Sequence, residues 1–194
     1  MFRDYTPLPL FTLPAGTGFH QPSQTLPQRV NLDDRAIECM TDLKQVSAAT
    51  IERSATIDTA NQAMIERGVR LLLVVDRTLA VVGIITANDI LGEKPMQFMR
   101  ESGILRHEVL VQDIMTAQQG LEVLRLDDVL HSKVGHVVAT LKKSGRQHAV
   151  VVDHTTHKMR GIFSATQIAR QLGVTIQTTE VARTFAEIEA VLSH

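Results

Sequence analysis

One phrase of seven residues is written twice in this chain. Gly83-Ile84-Ile85-Thr86-Ala87-Asn88-Asp89 is matched by Gly161-Ile162-Phe163-Ser164-Ala165-Thr166-Gln167. An apolar run ending in Asp precedes each copy, closing at Asp76 and Asp153, and each copy has a Met-Thr pair further upstream, at Met40-Thr41 and Met115-Thr116. A repeat of this size is a unit that cannot bury its apolar face alone and stacks on its twin. The chain is therefore constrained to a paired architecture, and the mismatch at the last position, Asp89 against Gln167, bears on function.

Between these marks the pattern is mixed α/β. In the first copy, 46–51 reads as a short strand, and Ile57, Ala60, Ala63 and Met64 recur at helical spacing with Ser54 or Thr56 available as a cap. Gly68 stands where a helix-ending glycine belongs. Leu71–Val75 is a continuous apolar run too short for a helix, hence a buried strand, followed by a turn near Arg77-Thr78, a strand over 81–85 and a short helix from Thr86. The second copy repeats the order. Val134, Val137, Val138 and Leu141 give the helix stripe, Gly145 its end, 149–152 and 161–163 the strands, and a last helix stops at Gly173. The helix-ending glycines and the motif glycines keep nearly the same offset, with one extra residue in the second hairpin loop. Each repeat reads β-α-β-β-α, and the two are expected to pack as a pseudo-twofold pair.

This divides the chain into an N-terminal arm (1–36), a first repeat (37–92), a linker (93–110), a second repeat (111–173) and a C-terminal helical segment (174–194). Five of the six prolines fall in the arm, so it forms neither a continuous helix nor a central strand. Phe2, Tyr5, Phe11 and Phe19 make it too aromatic for a disordered tail, and it is expected to dock on the body or on a neighbouring subunit. Pro95 is expected to open a linker helix over 96–102. Val181, Phe185, Ile188 and Leu192 form the C-terminal stripe, read as packing onto the body or docking to a partner protein.

Composition narrows the function classes. A net charge of −1 with both signs interspersed argues against a nucleic-acid module. No apolar stretch approaches a membrane span, and residues 1–20 lack a secretory pattern, so a cytoplasmic protein is expected. The single Cys39 excludes an internal disulfide and cysteine-based zinc clusters and reads as a small buried residue. His154-x-x-His157 lies in a short hairpin loop without a third rigid ligand, and His131 and His136 are spaced off a common helix face, so no metal is expected. Neither a flanked nucleophilic serine nor a Walker loop nor a dinucleotide fingerprint is present, and no enzymatic activity is expected.

The ordered marks (Met-Thr, strand, helix, glycine, apolar strand ending in Val-Val-Asp, then Gly-h-h-Thr/Ser-x-x-Asp, where h is apolar) resemble the cystathionine-β-synthase (CBS) domain. Two in tandem resemble a Bateman module, over roughly residues 37–173. The resemblance implies a disc-like, usually dimerised pair whose clefts bind AMP, ADP, ATP or S-adenosylmethionine. It implies Thr86 and Asp89 as the phosphate and ribose contacts of the first site, with adenine near Ala48, Thr50, Leu71 and Leu73. The Asp89 carboxylate is suited to accept both hydroxyls of a ribose, and the amides at the start of a helix suit a phosphate. Arg70, Arg146, His148, Lys158 and Arg160 are the cations near strand ends or in the hairpin loop.

Helix capping competes with this assignment. Thr86-x-x-Asp89 approximates a capping box and Ser164-x-x-Gln167 fits one outright, and capping and ligand binding are compatible. Gln167 lacks the charged, doubly accepting carboxylate, so the Ser164 site is expected to be weak, empty or adapted. Two functions follow as expectations: a regulator that senses an adenosine ligand and signals to a partner, or a ligand-independent scaffold whose motifs only cap helices.

Overall fold

The computed structural model describes residues 8–10, 12–17 and 22–174. The expectations for Phe2, Tyr5, Phe11, Phe19 and the C-terminal stripe fall outside these residues. In chain order the elements are β1 (Thr41–Asp42), β2 (Thr50–Glu52), α1 (Ile57–Arg67), β3 (Leu71–Val75), β4 (Val81–Thr86), α2 (Ala87–Leu91), α3 (Lys94–Ser102), α4 (Val111–Ile114), β5 (Thr116–Ala117), β6 (Val123–Arg125), α5 (Leu126–Leu130), α6 (Val134–Ser144), β7 (His148–Asp153), β8 (Lys158–Ser164) and α7 (Ala165–Gln171).

The mixed α/β reading holds, with the two copies built alike. Thr56 rather than Ser54 caps α1, accepting from the Thr59 amide. Gly68 and Gly145 end α1 and α6 in the left-handed conformation. The aspartates that close each apolar run organise the hairpin turns: Asp76 Oδ1 accepts from the Thr78 and Ala80 amides, Asp153 Oδ1 from those of Thr155 and Thr156. Two local expectations change. The strand expected at 46–51 shrinks to β2, because Asp42 gathers the following residues into a turn, its side chain accepting from the Lys44 amide and its carbonyl from the Gln45 and Val46 amides. α3 begins at Lys94, one residue before Pro95, which the first turn tolerates because its amides lack helical partners anyway.

The main departure is an exchange between the halves. The strands order as β1-β8-β7-β6 and β2-β3-β4-β5, so the strand after each Met-Thr mark joins the sheet of the other copy. Thr41 pairs with Ile162 and Asp42 with Gly161, while Thr116 pairs with Ile84 and Ala117 with Gly83. The segments upstream cross in the same way. Ala36 donates to the Ser132 carbonyl and Val134 to that of Asp34; Val111 donates to Ala55 and Ile57 to Val109. The motif glycines make room for these crossings: a Cβ on Gly83 would stand 2.5 Å from the Thr116 carbonyl oxygen, and one on Gly161 would run into the Met40 thioether.

Three apolar clusters result. Ile57, Met64, Leu72, Ile85 and Ile90 fill the first half under its helices; Met40, Val137, Leu141, Phe163 and Ile168 fill the second. Leu71, Leu73, Ile84 and Val150 form a third cluster, uniting residues of both sheets. The end of the arm serves the second half: the Gln24 side chain bridges the outer edge of β1, donating to Met40 O and accepting from Asp42 N, and the Val30 amide donates to the Gln171 carbonyl.

Candidate functional site

The register that carries Thr86 and Asp89 to the boundary of the halves is set by β3 and β4. Leu71 stands opposite Thr86, and the Ala87 amide donates to the Arg70 carbonyl, so the chain turns from β4 into α2 beside the start of β3. The second half does the same, with His148 opposite Ser164 and the Ala165 amide on the Gln147 carbonyl. A cleft of about 230 Å³ opens there, lined by Thr86, Asn88 and Asp89 of one half against Arg146, Gln147 and His148 of the other, with the exchanged Thr116 beside them.

Asp89 is fully engaged as a helix cap. Its Oδ2 accepts from the Thr86 amide (2.8 Å) and hydroxyl (2.7 Å), and its own amide points to Thr86 Oγ1 at 3.3 Å. Its Oδ1 accepts from Lys94 Nζ at 2.5 Å, which also reaches the Ile114 carbonyl at 3.3 Å. The carboxylate is 12% exposed and the lysine 49%. Each carboxylate oxygen has two accepting positions, so both of Oδ2 are taken and one on Oδ1 remains. Sequence reasoning had the stronger capping box at Ser164–Gln167. In the structure only half of it forms: Ser164 accepts from the Gln167 amide at 3.4 Å, and the Gln167 carboxamide turns to Arg170.

The remaining residues named from sequence separate into two groups. Leu71 and Leu73 are buried in the cluster between the sheets, with Ala48 packed against it, and Thr50 pairs with Leu73 along β2. Leu71 and Leu73 lie on β3 beside β4, Thr50 and Ala48 on the far side of β3, and none of the four lines the cleft. Ser164 occupies the corresponding turn of the second half. Among the cations, Arg146 and His148 face the cleft, Arg70 donates to Asn88 Oδ1 at 3.2 Å, and Lys158 starts β8 opposite Asp153. Arg160 is consumed by an ion pair with buried Asp42.

His148 is the strongest electrostatic feature of the cleft. Burial, and secondarily the nearby Arg70 guanidinium, push its pKa down to about 4, against a smaller opposing pull from Asp89. The imidazole is neutral at physiological pH, and its Nδ1 is buried without a hydrogen-bond partner among the described residues. Cys39, by contrast, is inert: burial raises its thiol to about 12. Among the described residues no group of three or more His, Cys, Asp or Glu is placed to hold a metal ion, and no helix is long and apolar enough to cross a membrane.

Thr116 is one of the lining residues that sequence reasoning missed, with Asn88 and Gln147. Its signal was present in the repeated Met-Thr mark, but the crossing of that mark to the other sheet is a tertiary fact.

Comparison with known proteins agrees with this geometry. Residues 37–95 match the family model of the CBS domain. An uncharacterized conserved protein from Pyrococcus horikoshii superimposes with a TM-score of 0.55 at 20% identity, covering 77% of this chain and all of the other. The protein CBSX2, solved in complex with AMP, gives 0.51 at 20% identity over 71% of this chain and 94% of its own; the same protein is known from Arabidopsis thaliana. A putative signal-transduction protein with CBS domains from Burkholderia ambifaria gives 0.52 at 22% identity over 69% and 88%. No curated protein sequence matches the chain significantly. The fold is that of a tandem CBS-domain pair.

Proposed function

We propose that this chain is a regulatory CBS pair that binds an adenosine-containing ligand (AMP, ADP, ATP or S-adenosylmethionine) in the cleft between its halves and passes the bound state to a protein partner, as a homodimer. The supporting observation is the cleft itself: a polar mouth that takes Thr86 and Asp89 from one half and Arg146 and His148 from the other. A ligand there touches both halves and shifts any equilibrium between their arrangements by its difference in affinity for them. Thr86 is the phosphate contact and Asp89 the ribose contact of this site, with the adenine toward Ala48, Thr50, Leu71 and Leu73. No catalytic step is assigned. The complete capping box of Asp89 favours one alternative, a ligand-independent scaffold.

Thermal-shift and calorimetric titration separate the two, since a ligand of the native state raises apparent stability with concentration. AMP is expected to stabilise the wild type. Asp89→Ala is expected to weaken binding about tenfold to a hundredfold, the loss of a charge-assisted hydrogen bond, and Gln167→Ala to leave it nearly unchanged. No response to millimolar AMP, ADP, ATP or S-adenosylmethionine establishes the scaffold; loss of binding only in Gln167→Ala moves the site to the second half.

A further inference from the structure

We infer that Lys94 is a displaceable latch which couples occupancy of the cleft to helix α3; this rests on the ligand-binding reading above. Three donors already occupy Asp89, the Thr86 amide, the Thr86 hydroxyl and the Lys94 ammonium. A single accepting position remains, on Oδ1. A ligand presenting two adjacent hydroxyls must therefore remove one of the three. The Thr86 amide is committed to the capping box of α2, and the Thr86 hydroxyl oxygen is held beside the same carboxylate by the Asp89 amide that it caps. Lys94 is the group able to leave, because it is half exposed and its ammonium regains water on departure.

The position of Lys94 gives that departure a consequence. It is the first residue of α3, and its ammonium ties Asp89 on α2 to the carbonyl of Ile114, the last residue of α4. Two residues beyond Ile114, Thr116 belongs to the exchanged strand β5 and lines the same cleft. One side chain thus holds three elements together at the edge of the cleft. When a diol takes Oδ1, Lys94 releases Asp89 and the Ile114 carbonyl, and the first turn of α3 loses its tie. α3 carries exposed Met96 beside Leu91, so the change reaches the surface of the first half. In the second half the corresponding Gln167 accepts from Arg170 instead.

The latch also taxes binding, because ligand affinity falls by the fraction of molecules in which the site is closed. Calorimetric titration with AMP is therefore run on the wild type, Lys94→Met and Lys94→Arg, each checked for a cooperative melt. Lys94→Met is expected to bind about two- to tenfold more tightly, the scale of a half-exposed ion pair. Lys94→Arg, which keeps the pair, is expected to bind no more tightly than wild type. Hydrogen exchange gives the second readout: AMP raises exchange at the start of α3 in the wild type, whereas Lys94→Met exchanges fast there without ligand. Equal affinities with unchanged exchange overturn the latch and leave the ligand site standing. Weaker binding by Lys94→Met also overturns it, making Lys94 a ligand contact. Absence of AMP binding in all three variants overturns the latch; if ADP, ATP and S-adenosylmethionine are silent too, the ligand-binding reading falls with it.

Discussion

His148 shows how one side chain makes the two halves unequal. It occupies the register position of Leu71, each facing the threonine or serine that starts the following helix. Where the first half buries a leucine, the second buries an imidazole with a pKa near 4. In the unfolded chain the group titrates near 6.5. Between those values the unfolded state binds the extra proton, so stability present at pH 7 is lost as pH falls from about 6.5 to about 4, and no further loss from this group follows below that. The wild type is expected to lose about 2 kcal/mol from this source between pH 7 and pH 5. Denaturant titrations of wild type and His148→Leu at both values check it: the leucine variant keeps that stability at pH 5, and a parallel loss in both proteins assigns the pH dependence elsewhere.

At the scale of elements, the glycines of the twice-written phrase serve the strands that cross between halves. Both lie where a Cβ meets the passing chain, but the obstacles differ. At Gly83 the obstacle is the backbone carbonyl of Thr116; at Gly161 it is the side chain of fully buried Met40. A thioether has three rotatable bonds with which to give way, and a backbone in a ladder has none to spare. Gly83→Ala is therefore expected to cost about 2–3 kcal/mol and Gly161→Ala less, within the range for overpacked cores, measured by thermal or chemical unfolding. Gly161→Ala paired with Met40→Val is expected to recover part of its loss. Much of this level was legible beforehand. Apolar runs such as Leu71–Val75 and helix stripes such as that of Val134, Val137 and Leu141 carry their own periodicity, and Gly68 and Gly145 mark their own helix ends. The length of β2 was not legible, because the turn that shortens it depends on hydrogen bonds made by Asp42 rather than on any propensity of 46–51.

For the whole molecule, sequence similarity locates the repeats but not the boundaries along which the chain folds. Thr86 and Asp89 were readable as a pair because three residues of spacing bring them onto one turn. That Arg146, Gln147 and His148 stand opposite them was not, since no local pattern encodes the packing of one sheet on another. Nor was Thr116, whose strand is contributed across the pair. The two ways of dividing the chain make different fragments. Residues 37–92 form a repeat but lack β5 and its leading segment; residues 44–117 hold one complete sheet with its helices. The second fragment is expected to keep more native-like structure, seen as dispersed amide resonances, and the first to remain without a cooperative melt. The reverse result assigns little energy to the exchange.

The same exchange governs the order in which the molecule is finished during synthesis. Thr41 leaves the ribosome well before its pairing partner Ile162 is made. The first sheet, β2 to β5, closes as soon as Ala117 is free, while β1 waits for β8. Long-range pairing of this kind carries a loop-closure cost and folds late. The nascent chain therefore completes its first sheet while β1 is still unpaired, and β8, translated later, closes the sheet to which β1 belongs.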